Sequence, residues 1–409
     1  MSRKRPPFKQ LAPDLHPARL ARHPDTWVLL AGLVFYLSLA AHGRFQQPDF
    51  HAYYAAAARF LEGDPLYFIT EPAPFVPYLY MPTVALLFVP FLVASLHAAT
   101  IAWYACNVLL LVVARRLLAR QSGDPGAARL LLFFAAIGFA IEREWSVGNL
   151  NLLNLALGLT AISLAAEEHW GFAGIVLAGA MVAKPPAGLL VFPLWARRRR
   201  LVLPTVLAGA ALLAAPFFFY GRHGTPGLYA EFARSTADFH QRFGDSFKYR
   251  STTAGLWEGL LSVFGVRLHH HWSGLVLQYG LAIAAMAFAY RRFRGGLRAL
   301  YVSLALVPLT ALSDYQVFLL TAPLIYHLLC EWRAARWGGA RIATFAVALF
   351  LYGSNWHDLW GDRLSKRMFD AGIEGLGTWG LIACALLARP RGVHRESAWR
   401  ADAVLSSGR

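Results

Sequence analysis

The chain has 409 residues, of which 57% are hydrophobic and 15% charged, with a mean hydropathy of +0.42. A soluble domain carries about 25% charged residues, so that class is excluded, and long unalternating apolar runs such as 201–221 exclude a transmembrane barrel. The net charge of +16 invites a nucleic-acid reading. The basic residues instead stand in short clusters between apolar runs (Arg3 to Arg5, Arg115-Arg116, Arg197 to Arg200, Arg291-Arg292, Arg333, Arg389), which marks cytoplasmic loops and surfaces for anionic lipid.

Taken in order, residues 1–25 read as a cytoplasmic tail. Thr26 to Ala41 form an uncleaved first span, and 42–80 a first external loop. Within that loop, 49–62 predicts a short interfacial helix. Asp49 stands at its N-cap, alanines fill its body, and Gly63 with Pro65 ends it. Apolar runs follow at 81–97, 98–118, 128–141, 149–166, 171–196 and 201–221. A second external loop, 222–270, comes next. Runs at 271–290, 299–312, 316–330, 341–353 and 376–388 lead to a cytoplasmic tail, 389–409. A crossing helix needs about 20 apolar residues. The sum is one integral domain over 1–409, an all-α polytopic membrane protein with 11 to 13 hydrophobic helices.

Two stretches break the in–out count. Both 81–118 and 149–196 must run from outside to a basic cluster inside, yet each shows two apolar runs. One broken or re-entrant helix in each resolves the count. Backbone breaks at membrane depth are tolerated only where they line protein or a wet cavity. Pro82 and Pro185-Pro186 are the natural break points.

Few residues can carry chemistry. Asp49 is a carboxylate at the membrane surface, and it reads either as a helix cap or as a general base. Lys184 lies inside an apolar run, where a charge is costly and usually functional; the alternative is snorkelling from a helix end. Lys248, Tyr249 and Arg250 lie in the second external loop and read as a grip on the phosphate or the acceptor, or as a solvated loop. Asp314 reads as a helix cap or a sugar-hydroxyl ligand. Glu142, Arg143 and Glu144 read as a solvated turn. Cys106, Cys330 and Cys384 fall in spans and read as small hydrophobes. His269-His270-His271 cannot converge on one ion from a regular helix, and external acidic clusters are lacking, so neither metal nor cofactor is expected. The Trp356-His357-Asp358 and Trp360 group reads as an interface anchor.

The run D-F-x-x-Y-Y-x-A-A-x-x-x-L-x-G-x-P-L-Y from Asp49 to Tyr67, followed by Tyr80-Met81-Pro82 and a run ending in Phe88-Val89-Pro90, resembles glycosyltransferase family 87. Gly148-Asn149-Leu150-Asn151-Leu152-Leu153, the small-residue helix ending in Lys184-Pro185, and Leu312-Ser313-Asp314-Tyr315 resemble further segments of that family, over residues 26–330. The resemblance implies a GT-C fold with juxtamembrane helices in the first external loop, and an inverting transfer with Asp49 as base. The implied donor is a polyprenyl-phosphate sugar, commonly mannose. The acceptor is a glycolipid or glycan, and the site faces the exterior or periplasm of a bacterial inner membrane. Lys184, Lys248 and Arg250 are the expected phosphate contacts. Tyr53, Tyr80, Asn149, Asn151, Asp314, Tyr315 and Gln316 are the expected substrate contacts. The chain departs from the family in lacking a histidine between Asp314 and His327. The competing classes are a flippase of lipid-linked glycans, suited by broken helices, and a ligase using Arg234, His240 or Arg242.

Overall fold

The computed structural model describes residues 23–67, 77–243, 250–266, 272–310, 314–335, 337–355 and 357–387. Lys248, Tyr249, His269 to His271 and Trp356 lie outside these residues, as do the side chains of His240, Arg242, His357 and Asp358. The described chain is helical without a strand, as the apolar runs require. In chain order the helices are α1 (Pro24–Ala41), α2 (Pro48–Glu62), α3 (Leu96–Ser122), α4 (Ala127–Val147), α5 (Asn151–Ala166), α6 (Trp170–Ala183), α7 (Val191–Arg197), α8 (Val202–Ala214), α9 (Phe217–Phe243), α10 (Thr253–Val263), α11 (Trp272–Phe293), α12 (Leu297–Thr310), α13 (Ala322–Ala334), α14 (Gly339–Gly353), α15 (His357–Asp370) and α16 (Ile373–Leu387). Four 3₁₀ segments, Pro82–Val93, Pro185–Leu190, Arg199–Leu201 and Tyr315–Thr321, join them.

Three helices, Pro24–Ala41, Leu96–Ser122 and Ser273–Phe293, are long and apolar enough to cross a bilayer, and the number rises to six when three bent pairs are counted as spans. Trp27, Val34, Leu37, Leu131, Phe172 and Leu203 are exposed on their helices. A contiguous apolar exterior of this kind needs hydrocarbon as its solvent. The molecule is an all-α polytopic membrane protein.

Ion pairs and hydrogen bonds sort the helix ends into two groups. At one end, Asp25 binds Arg115 and Arg116, Arg120 binds Glu167 at 2.6 Å, and the Arg197 guanidinium donates to the Arg294 carbonyl at 3.1 Å. This is the basic end. Asp49, Tyr80, Asn149 and Lys184 gather at the other.

The two ambiguous stretches resolve differently. Pro82–Val93 does not cross; it packs along α2, with Phe50 against Phe88 and Phe91 and with the Tyr54 hydroxyl donating to the Ala94 carbonyl at 2.9 Å. Helix α3 alone makes the passage. The run 171–196 is a hairpin. Helix α6 ascends from the basic end, where Arg198 lies 5.3 Å from the Trp170 ring, to Lys184 beside Asn151. Residues 185–197 then return. Helix α5, helix α6 and this return leg pack side by side as three short apolar segments between the two ends.

The run 201–221, read as one span, is two helices. It breaks between Ala214 and Phe217, at Pro216, with a bend of 85°. Proline cannot supply the backbone N–H and its ring clashes with the preceding turn. Helix α9 is interrupted at Gly221 (φ +65°) and then runs to Phe243, so much of 222–270 is helical. All three cysteines are free, with Cys384 buried.

Candidate active site

Gly148 sets the geometry of the site. It caps α4 at φ +73°, a conformation that favours glycine, and a Cβ there would meet Gln47 Cβ at 3.1 Å. The chain turns by 118° into α5. The Gly148 carbonyl accepts from Trp103 Nε1 at 2.8 Å, and Gln47 Nε2 donates to the Trp145 carbonyl at 3.0 Å. Gln47 is buried and itself holds φ +44°, a strained value for a residue with a side chain. The α4–α5 turn is thereby pinned against the start of α2, which carries Asp49.

Helix α2 begins at Pro48 with Gln47 as its N-cap. This corrects the reading of Asp49 as the cap: it lies in the first turn, and its side chain reaches across to the α4–α5 turn. Asn149 Nδ2 donates to Asp49 Oδ2 at 2.5 Å. The orientation of this amide is fixed by its other atom. Asn149 Oδ1 accepts from Leu150 N at 2.7 Å, Asn151 Nδ2 at 3.0 Å and the Tyr80 hydroxyl at 3.2 Å. An oxygen surrounded by donors leaves the NH₂ for the carboxylate. Asp49 is half-buried, so the charge keeps access to a ligand.

Glu144 is fully buried beneath this turn. Its Oε2 accepts from Asn151 Nδ2 at 2.8 Å and its Oε1 from Leu152 N at 3.0 Å. It satisfies an N–H that the first turn of α5 would otherwise leave unpaired, and it holds Asn151. The expectation of a solvated turn is overturned for Glu144, because α4 stays helical to Val147 and turns this side chain inward. Asn151 Oδ1 in turn accepts from Lys184 Nζ at 2.5 Å. Lys184 leaves α6 in an extended conformation, φ −144° and ψ 103°, as a residue before proline must. Its ammonium, half-buried, stands at the apex of the α6 hairpin.

Two tyrosines complete this side. Tyr53 is buried, its ring edge-on to Tyr80 at 5.0 Å and stacked on Phe88 at 4.6 Å. Burial, then the neighbouring Tyr80 and Asp49, raises the Tyr53 pKa well above its usual 10. Burial followed by Asp49 raises that of Tyr80 as well. Both therefore stay protonated, and Tyr80 remains a donor.

The structure thus brings Asp49, Tyr53, Tyr80, Asn149, Asn151 and Lys184 together. Asp314, Tyr315 and Gln316 belong to another group. Asp314 Oδ1 accepts from Tyr315 N at 3.0 Å and caps the 3₁₀ segment. Tyr315 packs between Phe139 and Phe369, and Gln316 is buried. Arg250 is exposed. Beside it, a second carboxylate, Glu374, is buried and accepts from Asn355 Nδ2 at 2.5 Å and from the Ser251 hydroxyl at 3.3 Å. The Ser365 hydroxyl donates to Asn355 Oδ1 at 2.6 Å. Sequence reading missed Gln47, Glu144 and Glu374. The signal for Glu144 was its place on the stripe of Phe133, Ile137, Ala140 and Ile141 at helical spacing. Among the described residues, no group of three or more His, Cys, Asp or Glu could hold a metal ion.

No curated protein and no solved structure gives a significant match to this chain. A family model does match, over residues 78–323. That span holds Tyr80, Asn149, Asn151, Lys184 and the Asp314 segment, and begins after Asp49. Asp49 is joined to it by the Asn149 bond. The match covers more than half of the sequence, and the chain belongs to glycosyltransferase family 87.

Proposed function

We propose that this membrane glycosyltransferase transfers a sugar, with mannose the first choice, from a polyprenyl-phosphate carrier to a hydroxyl of a glycolipid or glycan. Asp49 is the general base. The observation that carries the reading is the Asn149–Asn151 pair. It ties a half-buried carboxylate and a half-buried ammonium into one hydrogen-bonded network at one end of the bundle. The acceptor O–H loses its proton to Asp49 while its oxygen bonds the anomeric carbon. The bond from that carbon to the phosphate oxygen breaks, and polyprenyl phosphate departs with the electron pair. Lys184 offers a cation to the charge gathering on that phosphate.

An inverting transfer is the reading that the carboxylates of the described residues support. Retention would need a second carboxylate as nucleophile beside the first. Glu144 is the nearest candidate, and both its oxygens are committed to Asn151 and Leu152 in a fully buried setting. A single displacement suits the remaining group. The basic clusters at the opposite end support a cytoplasmic placement of that end. The Asp49 site then faces the exterior or periplasm of a bacterial inner membrane, where a lipid-linked donor replaces a nucleotide sugar.

The test is transfer of label from radiolabelled polyprenyl-phosphate mannose in membranes carrying wild-type or Asp49→Asn protein. Label entering glycolipid or glycan with wild type alone supports the reading. Equal transfer from both removes Asp49 as base. No transfer from wild type across a panel of polyprenyl-phosphate sugars overturns the donor class.

A further inference from the structure

A groove runs along the bundle between α4, α13 and α14, starting near the basic end. An apolar cavity of about 390 Å³ opens there, lined by Leu132, Ala136, Trp332, Phe345, Leu349 and Ser354 among others. At its far end α14 closes on α4, since a Cβ on Gly353 would meet the Ala136 carbonyl at 2.7 Å. The Ser354 hydroxyl lies there, buried without a partner. Leu131, Val347 and Phe350 flank the cavity and are exposed, so its open side faces hydrocarbon.

The near end is cationic. Trp332 and Trp337 stack with centroids 6.4 Å apart. The Arg129 guanidinium lies 5.1 Å from the Trp332 ring, and that of Arg341 lies 3.7 Å from the Trp337 ring. The Nε atoms of both are buried without an acceptor. Glu331 receives Arg298 and Arg341 at 3.0 Å each, which leaves three guanidiniums against one carboxylate. Asp124, the next acid, is held by Arg333 at 3.6 Å. A basic pocket between membrane helices at a basic bundle end is what an anionic lipid headgroup recognises. An apolar channel leading from it accommodates a hydrocarbon chain.

We propose that this groove binds one anionic phospholipid of the bilayer, its phosphate at Arg129 and Arg341 and one acyl chain running toward Ser354. None of these residues belongs to the Asp49 network.

Native mass spectrometry of the full-length protein in detergent tests it, with phosphatidylglycerol or phosphatidylcholine added at equal concentration. Wild type is expected to retain phosphatidylglycerol at least tenfold better. Arg129→Gln with Arg341→Gln loses that preference, and Arg129→Lys with Arg341→Lys keeps part of it. Ala346→Trp, which fills the groove wall, lowers retention of both lipids. Undiminished phosphatidylglycerol on the glutamine variant overturns the proposal, as does equal retention of the two lipids by wild type. Displacement of phosphatidylglycerol by equimolar polyprenyl phosphate would assign the groove to the carrier lipid instead and also overturn it. If the glutamine variant fails to fold, the wild-type preference and Ala346→Trp still decide.

Discussion

Two buried glutamates, Glu144 and Glu374, are built into the molecule in the same way and serve different ends. Each is a buried carboxylate held by an asparagine, Asn151 or Asn355, at a helix end. The difference lies one bond further on. Asn151 passes the contact to Lys184 and to Asn149, and hence to Asp49, which are charged and half-buried. Asn355 passes it to Ser365, which is neutral and buried, while Ser251 closes the other side. A carboxylate–amide pair is thus a platform when its outward neighbours carry charge and a clamp when they do not. Gly375, packed directly on the Ser251 carbonyl, makes the second group tighter still.

The sharpest way to break this comparison is at Asp49. Asp49→Asn keeps the shape and a hydrogen-bonding partner for Asn149, and is expected to lower the transfer rate by about 10²–10⁴-fold, the range for loss of a general base. Single-turnover kinetics in membranes would read it, against an unchanged melting temperature. Lys184→Gln is expected to cost about 10²-fold, the scale for one donor to developing charge, with kcat falling more than KM rises. Glu144→Gln leaves only one acceptor oxygen for Asn151 and Leu152. About 1.5–3 kcal/mol is at stake in hydrogen bonds to a charged group, so transfer should fall by roughly an order of magnitude along with some stability.

Glu374→Ala sharpens the comparison from the other side. It strands Asn355 and Ser251 and should cost about 1–3 kcal/mol of stability, seen as a lower melting temperature. The rate per folded molecule should hold; a collapse of transfer in folded protein would make the clamp part of the reaction. The smallest effect is in pH. The raised pKa values of Tyr53 and Tyr80 keep both hydroxyls protonated in the fold. Whatever stability they contribute is complete below the unfolded tyrosine value of about 10 and declines as pH rises beyond it. Transfer should show no tyrosine-linked fall up to about pH 10.

The membrane class and the three long spans were legible in the sequence, and so were the residues that the structure gathers around Asp49. An apolar run is a direct record of its solvent, and Asp49 and Lys184 stood out because charge is scarce around them. The path of residues 171–196 was only half legible. Pro185-Pro186 announced a break, but whether the chain then continues or doubles back depends on Asn151 and Trp170, both distant in sequence. The break at Pro216 was hidden by a charge-free run. Glu144 was misread because Glu142-Arg143-Glu144 has the composition of a turn, and its role depends on which way one helix face points. The Glu374 clamp is closed by Ser251, 123 positions away, and the nearer Asn355 and Ser365 carry no pattern that marks them.

The hairpin that carries Lys184 has a consequence for how the protein is made. Helix α6 has 14 residues and the return leg is no longer, short of the ~20 that a helix needs to enter a bilayer alone. Neither leg can partition independently as it leaves the ribosome. Residues 151–197 are therefore expected to enter the membrane together, after Arg197 to Arg200 have been synthesised. The lysine at the apex reaches its place only when that basic cluster holds the return leg at the other side.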